Sequence, residues 1–491
     1  MSASRVQCAI ASVLLAAALS APASVAAQQP ITLAEAVRMA RQQGLEARAA
    51  RASLEATRHR DVAFDARHLP QLSLSGTVPS YNRSIIPVLQ PDGSTIFRAQ
   101  QQTSADLTMT MSQQLPVTGG SFFVSSSLSR LTVSGQQQIK SWTSTPVQVG
   151  LRQDIFRPNT ARWDQRQQDA TTELSERLYL EAMEEIAIQT TQAFFDVYSA
   201  RATLANSITN AATNDTLYTL NKGRFEVGKI GENDLLQSEL ALLRSRAAVQ
   251  TAQLGFDRAV ALLRLNLNLP PGTAIEVSVT NDLPQLVLDT TRAVAEALRN
   301  RSSVSDAALQ DVLARRRIAE ARLARGVGAT VQASFGLNAT APEASLAYQD
   351  LVDARQFSLS VELPLWQWGA RSQEVDAARS DQERTASLSE ASIDRTALDA
   401  HFAVLELNQA QVNVGLAAKA DTVAGQRFEV AYNRYVIGRI AIDNLYIAQS
   451  EKDQALNEFV QALEGYWLAY YRLRRATLFD FATGQAIRAR N

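Results

Sequence analysis

The sequence is short of almost everything that carries chemistry. Among 491 residues there is one cysteine, Cys8, and there are three histidines, His59, His68 and His401. The histidines stand apart with no partner at ligand spacing, so neither a metal site nor histidine-based catalysis is expected. Past Cys8 the chain has no thiol, no disulfide and no thiolate ligand. No Gly-x-Ser-x-Gly element, phosphate loop or dinucleotide glycine pattern occurs, so no catalytic residue, no cofactor and no enzymatic activity are expected. The formal charge is −1 at pH 7, which offers no basic surface to nucleic acid and no acidic tail to a cationic partner. Long apolar runs are missing as well. None reaches the roughly 18 residues of a membrane-spanning helix, so a chain that enters a bilayer must do so as a closed β-barrel.

Residues 1–27 have the pattern of a secretory signal. Arg5 is the positive region, Ile10 to Leu19 the apolar region, and Val25-Ala26-Ala27 a small-residue cleavage site before Gln28. Export is therefore expected. Cys8 lies ahead of the apolar region, where a lipid-modified cysteine would not sit.

Proline is the next absence. The chain has 14, yet none lies between Asn159 and Leu269 and none follows Pro364. Both stretches are heptad-like, and each is interrupted once by a related segment. Arg224-Phe225-Glu226-Val227-Gly228-Lys229-Ile230 returns 210 residues later as Arg434-Tyr435-Val436-Ile437-Gly438-Arg439-Ile440. The chain therefore reads as a duplication built on two long helical hairpins. At ~1.5 Å per residue, the arm from Thr160 to Arg224 alone would run on the order of 100 Å. Such an object is elongated, and it is suited to bridging a distance.

The first copy spans 28–270. It opens with a helix over Thr32 to Arg67, where Thr32 and Glu35 have capping-box spacing. Leu72 to Gly76 alternates as a strand, a polar loop is expected over Ser80 to Gln102, and Pro91-Asp92-Gly93 marks a turn. Leu107 to Leu115, Phe122 to Val133 and Val147 to Leu151 give further strands within about 71–155, with small hydroxyls on one side. The second copy spans 271–491. An extended linker, 274–288, precedes a helix over Thr291 to Arg325, and strands follow at Ala329 to Asn338 and Phe357 to Leu363. In the descending arms, Leu236, Leu240, Leu243, Ala247 and Leu254 read as one coiled-coil seam. Leu445, Ala448, Ala455, Phe459, Ala462, Tyr466, Ala469 and Leu473 read as another.

With the paired Arg-aromatic-x-x-Gly tips, the run Asp234-Leu235-Leu236-Gln237-Ser238-Glu239 and the strand-to-helix segment Val361-Glu362-Leu363-Pro364-Leu365-Trp366-Gln367-Trp368-Gly369, the chain resembles the TolC family of outer-membrane efflux proteins. The resemblance covers essentially the whole chain after residue 27. It implies a mainly α fold with a membrane β-barrel part, in which duplicated helical hairpins form an α-barrel and three copies assemble as a homotrimer. It implies passive export through the outer membrane of a Gram-negative bacterium, as the exit duct of a tripartite efflux pump or type I secretion system. The partners it implies are outer-membrane lipid, a periplasmic adaptor and, indirectly, an inner-membrane RND or ABC transporter. On this resemblance the tips at 224–234 and 434–444 dock the adaptor, through Gly228, Lys229, Ile230, Gly438, Arg439 and Ile440. Asp234, Asp443 and Asn444 are the candidates for a constricting periplasmic gate.

The glycines also suit plain helix caps, and the acidic residues suit plain helix N-termini. Family members typically contribute two strands per copy. The extra hairpin here, Leu107 to Val133, allows six strands per protomer or a membrane sheet with an extracellular extension. The second tip also reads as one residue shorter, since Leu445 lies seven after Gly438 and Leu236 eight after Gly228. Trp142, Trp366 and Trp368 stand at strand ends, where rings can lie at a membrane interface or simply pack. The competing assignment is a soluble periplasmic coiled-coil adaptor or scaffold. Two hairpins in one chain favour the duct.

Overall fold

The computed structural model describes residues 30–134, 138–279, 283–284, 286, 288–324 and 326–488; the export signal expected over 1–27 lies outside the described residues. In chain order the elements are β1 (Ile31–Thr32), α1 (Leu33–Gln43), α2 (Leu45–Arg67), β2 (Gln71–Leu89), β3 (Thr95–Leu115), β4 (Gly120–Ser134), β5 (Gln138–Ile155), α3 (Thr160–Glu226) and α4 (Glu232–Asn266). The second copy gives β6 (Val277–Ser278), α5 (Thr290–Asn300), α6 (Ser302–Ala324), β7 (Gly328–Ala341), β8 (Val352–Glu362), α7 (Ala370–Val436) and α8 (Ile442–Thr477). A small hairpin of β9 (Phe479–Asp480) and β10 (Gln485–Ala486) follows. The two long helices, α3 and α7, have 67 residues each. No described helix is long and apolar enough to cross a membrane.

Each expected opening helix is in fact two. In the first copy the break falls at Gly44, where an added Cβ would sit 2.4 Å from the Ala40 carbonyl oxygen. Thr32 caps α1 by accepting from the Glu35 N–H at 3.3 Å. In the second copy the break falls at Arg301, whose N–H returns to the Ala297 carbonyl. The loop expected over Ser80 to Gln102 is also not there. β2 and β3 pair continuously out to Leu89 opposite Thr95, and only the turn around Asp92 remains, tied by Ser94. Cross-strand hydrogen bonds satisfy the backbone whatever the side chains are, so polar composition misleads here. Pro79 and Pro87 are tolerated because β2 is an edge strand.

The chain divides into two compact units. One comprises residues 49–182, 288–405 and 473–491. It contains a six-stranded, wholly antiparallel sheet in the order β2-β3-β4-β5-β7-β8. Glu181 on α3 accepts from the Ser302 N–H at the start of α6 and lies 3.2 Å from Arg301.

The other unit comprises the described residues within 30–48, 183–287 and 406–472. Here α1 is held by a buried ion pair, Arg41 to Glu184 at 2.8 Å, with Glu184 1% exposed. The helices are linked in the order α4-α3-α8-α7. Arg246 meets Asp215 across α4 and α3, and Asp453 on α8 accepts from Asn206 and Asn210 on α3. Arg427 pairs with Glu451 across α7 and α8. Most of the seam expected on α8 is buried, with Leu445 and Tyr466 at 0% and Ala448 at 1%, while Phe459 and Ala462 are half-buried. The seam expected on α4 is not: Leu236, Leu240, Leu243 and Leu254 are all exposed, and α4 buries Ser238, Leu242 and Ser245 instead. The exposed leucines lie on a different face of α4 from these buried residues.

Candidate functional site

Two surfaces carry functional potential: the helical tips in one unit and the sheet faces in the other. At the tips, both long helices end in the same hydrogen-bonded device. Gly228 donates to Phe225 and Lys229 to Arg224; Gly438 donates to Tyr435 and Arg439 to Arg434, at matching lengths of 2.9 and 2.8 Å. This is a Schellman cap, whose left-handed residue is glycine because a Cβ is disfavoured there. Both glycines have φ 72°, and an added Cβ would meet nothing within 4 Å. The backbone angle requires glycine, not crowding.

The next helices start four residues later in both copies, at Glu232 and Ile442. The shortening expected in the second tip is therefore not real. Leu445 corresponds to Leu235, and Asp443 and Asn444 correspond to Asn233 and Asp234. Two adjacent leucines in the first copy made the wrong one look equivalent. Lys229 and Arg439 are exposed, as are Asp443 and Asn444, while Ile230, Ile440 and Asp234 are half-buried. Asp443 is held at 2.5 Å by the Gln237 side-chain amide of the other copy.

Beneath the tips lies a core that sequence inspection did not single out. Leu217, Tyr435, Ile442 and Leu445 pack together, with Ile440 and Tyr446 against them. Arg224 reaches from α3 to the end of α7, donating to the Val436 carbonyl at 2.8 Å while its guanidinium stacks on Tyr435. A cation there complements the negative end of the α7 dipole. The Tyr435 hydroxyl donates to buried Asn221 at 2.6 Å. Burial raises the Tyr435 pKa, opposed by the Asn221 hydrogen bond and by Arg224. Burial also pushes Tyr446 up to about 12, helped by neighbouring Tyr435. The only sequence signal was the repeated Arg-aromatic pair, which identifies neither cross-copy partner.

The sheet separates its faces sharply. Strand alternation and register put Leu72, Leu74, Met109, Met111, Phe122, Leu128, Val149, Leu151, Phe335, Leu337, Phe357, Leu359 and Val361 on one face. Most of these are more than a third exposed, a continuous apolar belt that nothing covers. The opposite face carries Ser73, Ser75, Thr108, Thr110, Ser125, Gln148, Ser334, Ser358 and Ser360. Gln148 bridges to Ser334 there, and Thr330 to Asp154. On β4 the apolar stretch from Phe122 to Leu128 covers about 20 Å along the strand, at ~3.3 Å per residue. Trp142 lies at the far margin under Arg130, and Trp366 stacks edge-on with Trp368 just past β8, both rings exposed. Aromatic rings at both margins of an apolar band are what a bilayer interface selects. Trp163 stacks with Arg166, and Trp467 lies among Tyr466 and Tyr470.

The histidines stay unrelated. Among the described residues no group of three or more His, Cys, Asp or Glu could hold a metal, and His68 is bound to the Phe64 carbonyl.

No family model matches the chain, and no curated protein sequence matches it. Solved structures do. The CmeC outer-membrane channel of Campylobacter jejuni aligns over 93% of this chain and 87% of its own, at 15% identity and a TM-score of 0.66. The outer-membrane protein VceC of Vibrio cholerae aligns over 91% and 95%, at 13% identity and TM-score 0.64. The open state of the MtrE channel of Neisseria gonorrhoeae aligns over 93% and 89%, at 14% identity and TM-score 0.62. With its duplicated helical hairpins, Schellman-capped tips and two-faced antiparallel sheet, the chain has the fold of the TolC-like outer-membrane channels.

Proposed function

We propose that this protein is an outer-membrane exit duct. Three copies close their sheets into a barrel in the bilayer, and their helices continue as an α-barrel tunnel through the periplasm. The apolar belt with aromatic margins carries this reading. A sheet face with uncovered Leu, Phe, Met and Val opposite a face of serines, threonines and glutamines suits lipid on one side and water on the other. Substrate passage is passive, and the energy comes from a partner.

The homotrimer draws support from two exposed heptad stripes on the outer helices of the α4-α3-α8-α7 set. Leu236, Leu240, Leu243 and Leu254 form one, on α4; Val412, Leu416, Val423 and Val430 form the other, on α7. Leu236 lies eight residues after Gly228 and Val430 eight before Gly438, so the stripes run at matching heights above their tips. Knobs of one copy can then enter holes of the next.

The tips dock a periplasmic adaptor coupled to an inner-membrane RND or ABC transporter. Gly228, Lys229, Ile230, Gly438, Arg439 and Ile440 present two like-shaped, cation-bearing turns per protomer. Asp234, Asp443 and Asn444 stand at the N-termini of α4 and α8, positioned to narrow the entrance once three copies meet.

The test is fractionation with a transport assay. Heat-modifiable trimers in the detergent-extracted outer-membrane fraction are expected, and release of a monomer by osmotic shock would refute the duct in favour of a soluble periplasmic scaffold. Replacing Gly228 and Gly438 with bulky residues should abolish dye export and leave trimers intact; unimpaired export would remove the docking role.

A further inference from the structure

The sheet has six strands and two open edges. β2 pairs only with β3, and β8 only with β7, among the described residues. Inside hydrocarbon those unpaired backbone groups must find partners. Six strands are too few to close on themselves, since the smallest membrane barrels have about eight. Another chain must supply the missing ladder.

The belt shows how. The midpoint of the apolar stretch falls at Ser75 on β2, Met109 on β3, Ser125 on β4, Val149 on β5, Ser334 on β7 and Leu359 on β8. The register partners of the first five are Thr108, Ser126, Gln148, Phe335 and Gln356. At every step the belt slips toward the helix-proximal end of the sheet, by one residue four times and by three at the last. A slip of about one to one and a half residues per strand, with ~3.3 Å rises and ~4.8 Å strand spacing, means strands tilted roughly 35–45° to the membrane normal. That is the tilt of closed membrane barrels. The slip never reverses, so all six strands share one tilt and β2–β3 does not stand apart as an extracellular extension.

β2 runs away from the helix-proximal end and β8 returns to it, so β8 of one copy meets β2 of the next in antiparallel sense. We infer that the sheets join through β8 and β2, Ser360 facing Ser75 of the neighbour, and that the trimer is a barrel of about 18 strands with an aqueous bore of porin width. This rests on the homotrimer proposed above.

Cysteine cross-linking tests it, since Cys8 is the only cysteine of the chain. A Ser75→Cys/Ser360→Cys double variant should, after oxidation of outer-membrane fractions, give reducible dimers and covalent trimers that survive heating in detergent. Each single variant should not. A Ser125→Cys/Ser360→Cys variant reports the rival closure, in which β4 meets the neighbour. Trimers linked through Ser125→Cys, or trimers linked neither through Ser75→Cys nor, one step lower, through Ser73→Cys, overturn the β8–β2 junction and leave the duct standing. Monomers with no link in any variant overturn the duct itself.

Discussion

The two descending helices, α4 and α8, hold equivalent places in the two copies, yet they place their heptad leucines differently. α8 turns large apolar residues inward: Leu445 packs with Leu217 of α3 and Tyr435 of α7, and Tyr466 is fully buried. α4 turns Ser238, Leu242, Ser245, Ala259 and Leu263 inward and leaves Leu236, Leu240, Leu243 and Leu254 outside. Both have heptad spacing, so the pattern predicts that a seam exists without saying whose helix fills it. The inner helix α8 has protomer neighbours on both sides. α4 pairs with α3 through Arg246 and Asp215, and the face that carries its leucine stripe is exposed.

Substitutions can break this contrast. The largest effect is expected from Leu240→Glu with Leu243→Glu: loss of trimers by light scattering, with helical circular dichroism unchanged. If the trimer survives, the α4 stripe is not an interface. Next, Leu445→Ala should cost the folded chain about 2–5 kcal/mol in denaturant titrations, because it opens a cavity in a closed core. Leu240→Ala in a monomeric background should stay within about 0.5 kcal/mol, as surface substitutions do.

At the tips, Tyr435→Phe should cost about 1–2 kcal/mol by leaving Asn221 buried without its hydroxyl. Gly228→Ala and Gly438→Ala should cost about 1 kcal/mol each and nearly the same amount, since their angles and surroundings match. Unequal costs would show that the two turns are not equivalent.

The smallest effect concerns Glu464 and Asp196. Burial raises both carboxyls, and Asp196 raises Glu464 further. A carboxyl raised in the fold stabilises it when protonated, so stability should fall as pH rises from the ordinary carboxylate range through the raised value, then level off. Glu464→Gln should remove Glu464's share of that slope, giving a higher Tm than the parent at neutral pH and no difference near about pH 4.

The helices were legible because proline is absent from them: Thr160 to Asn266 and Ala370 to Thr477 run without a break except at the tips. The strands were legible where apolar and hydroxyl residues alternate. They were missed at Ser80 to Gln102, where the outer part of the β2–β3 hairpin mixes polar residues and prolines with exposed Tyr81, Ile85, Leu89 and Phe97 and cross-strand pairing keeps it extended. The tip glycines were visible as motifs. The core beneath them was not, because Arg224, Asn221 and Tyr435 meet across some 210 residues, and no local pattern encodes a partner that distant.

Period and punctuation, which are local, dictated the duplication, the helix lengths, the turns and the two faces of each strand. Facing, register and count were settled by packing: which stripe on α4 lies inside, which leucine answers Leu445, how far the belt slips from strand to strand. Each of these depends on what stands across a contact, and a residue's own neighbours in the chain carry no record of that.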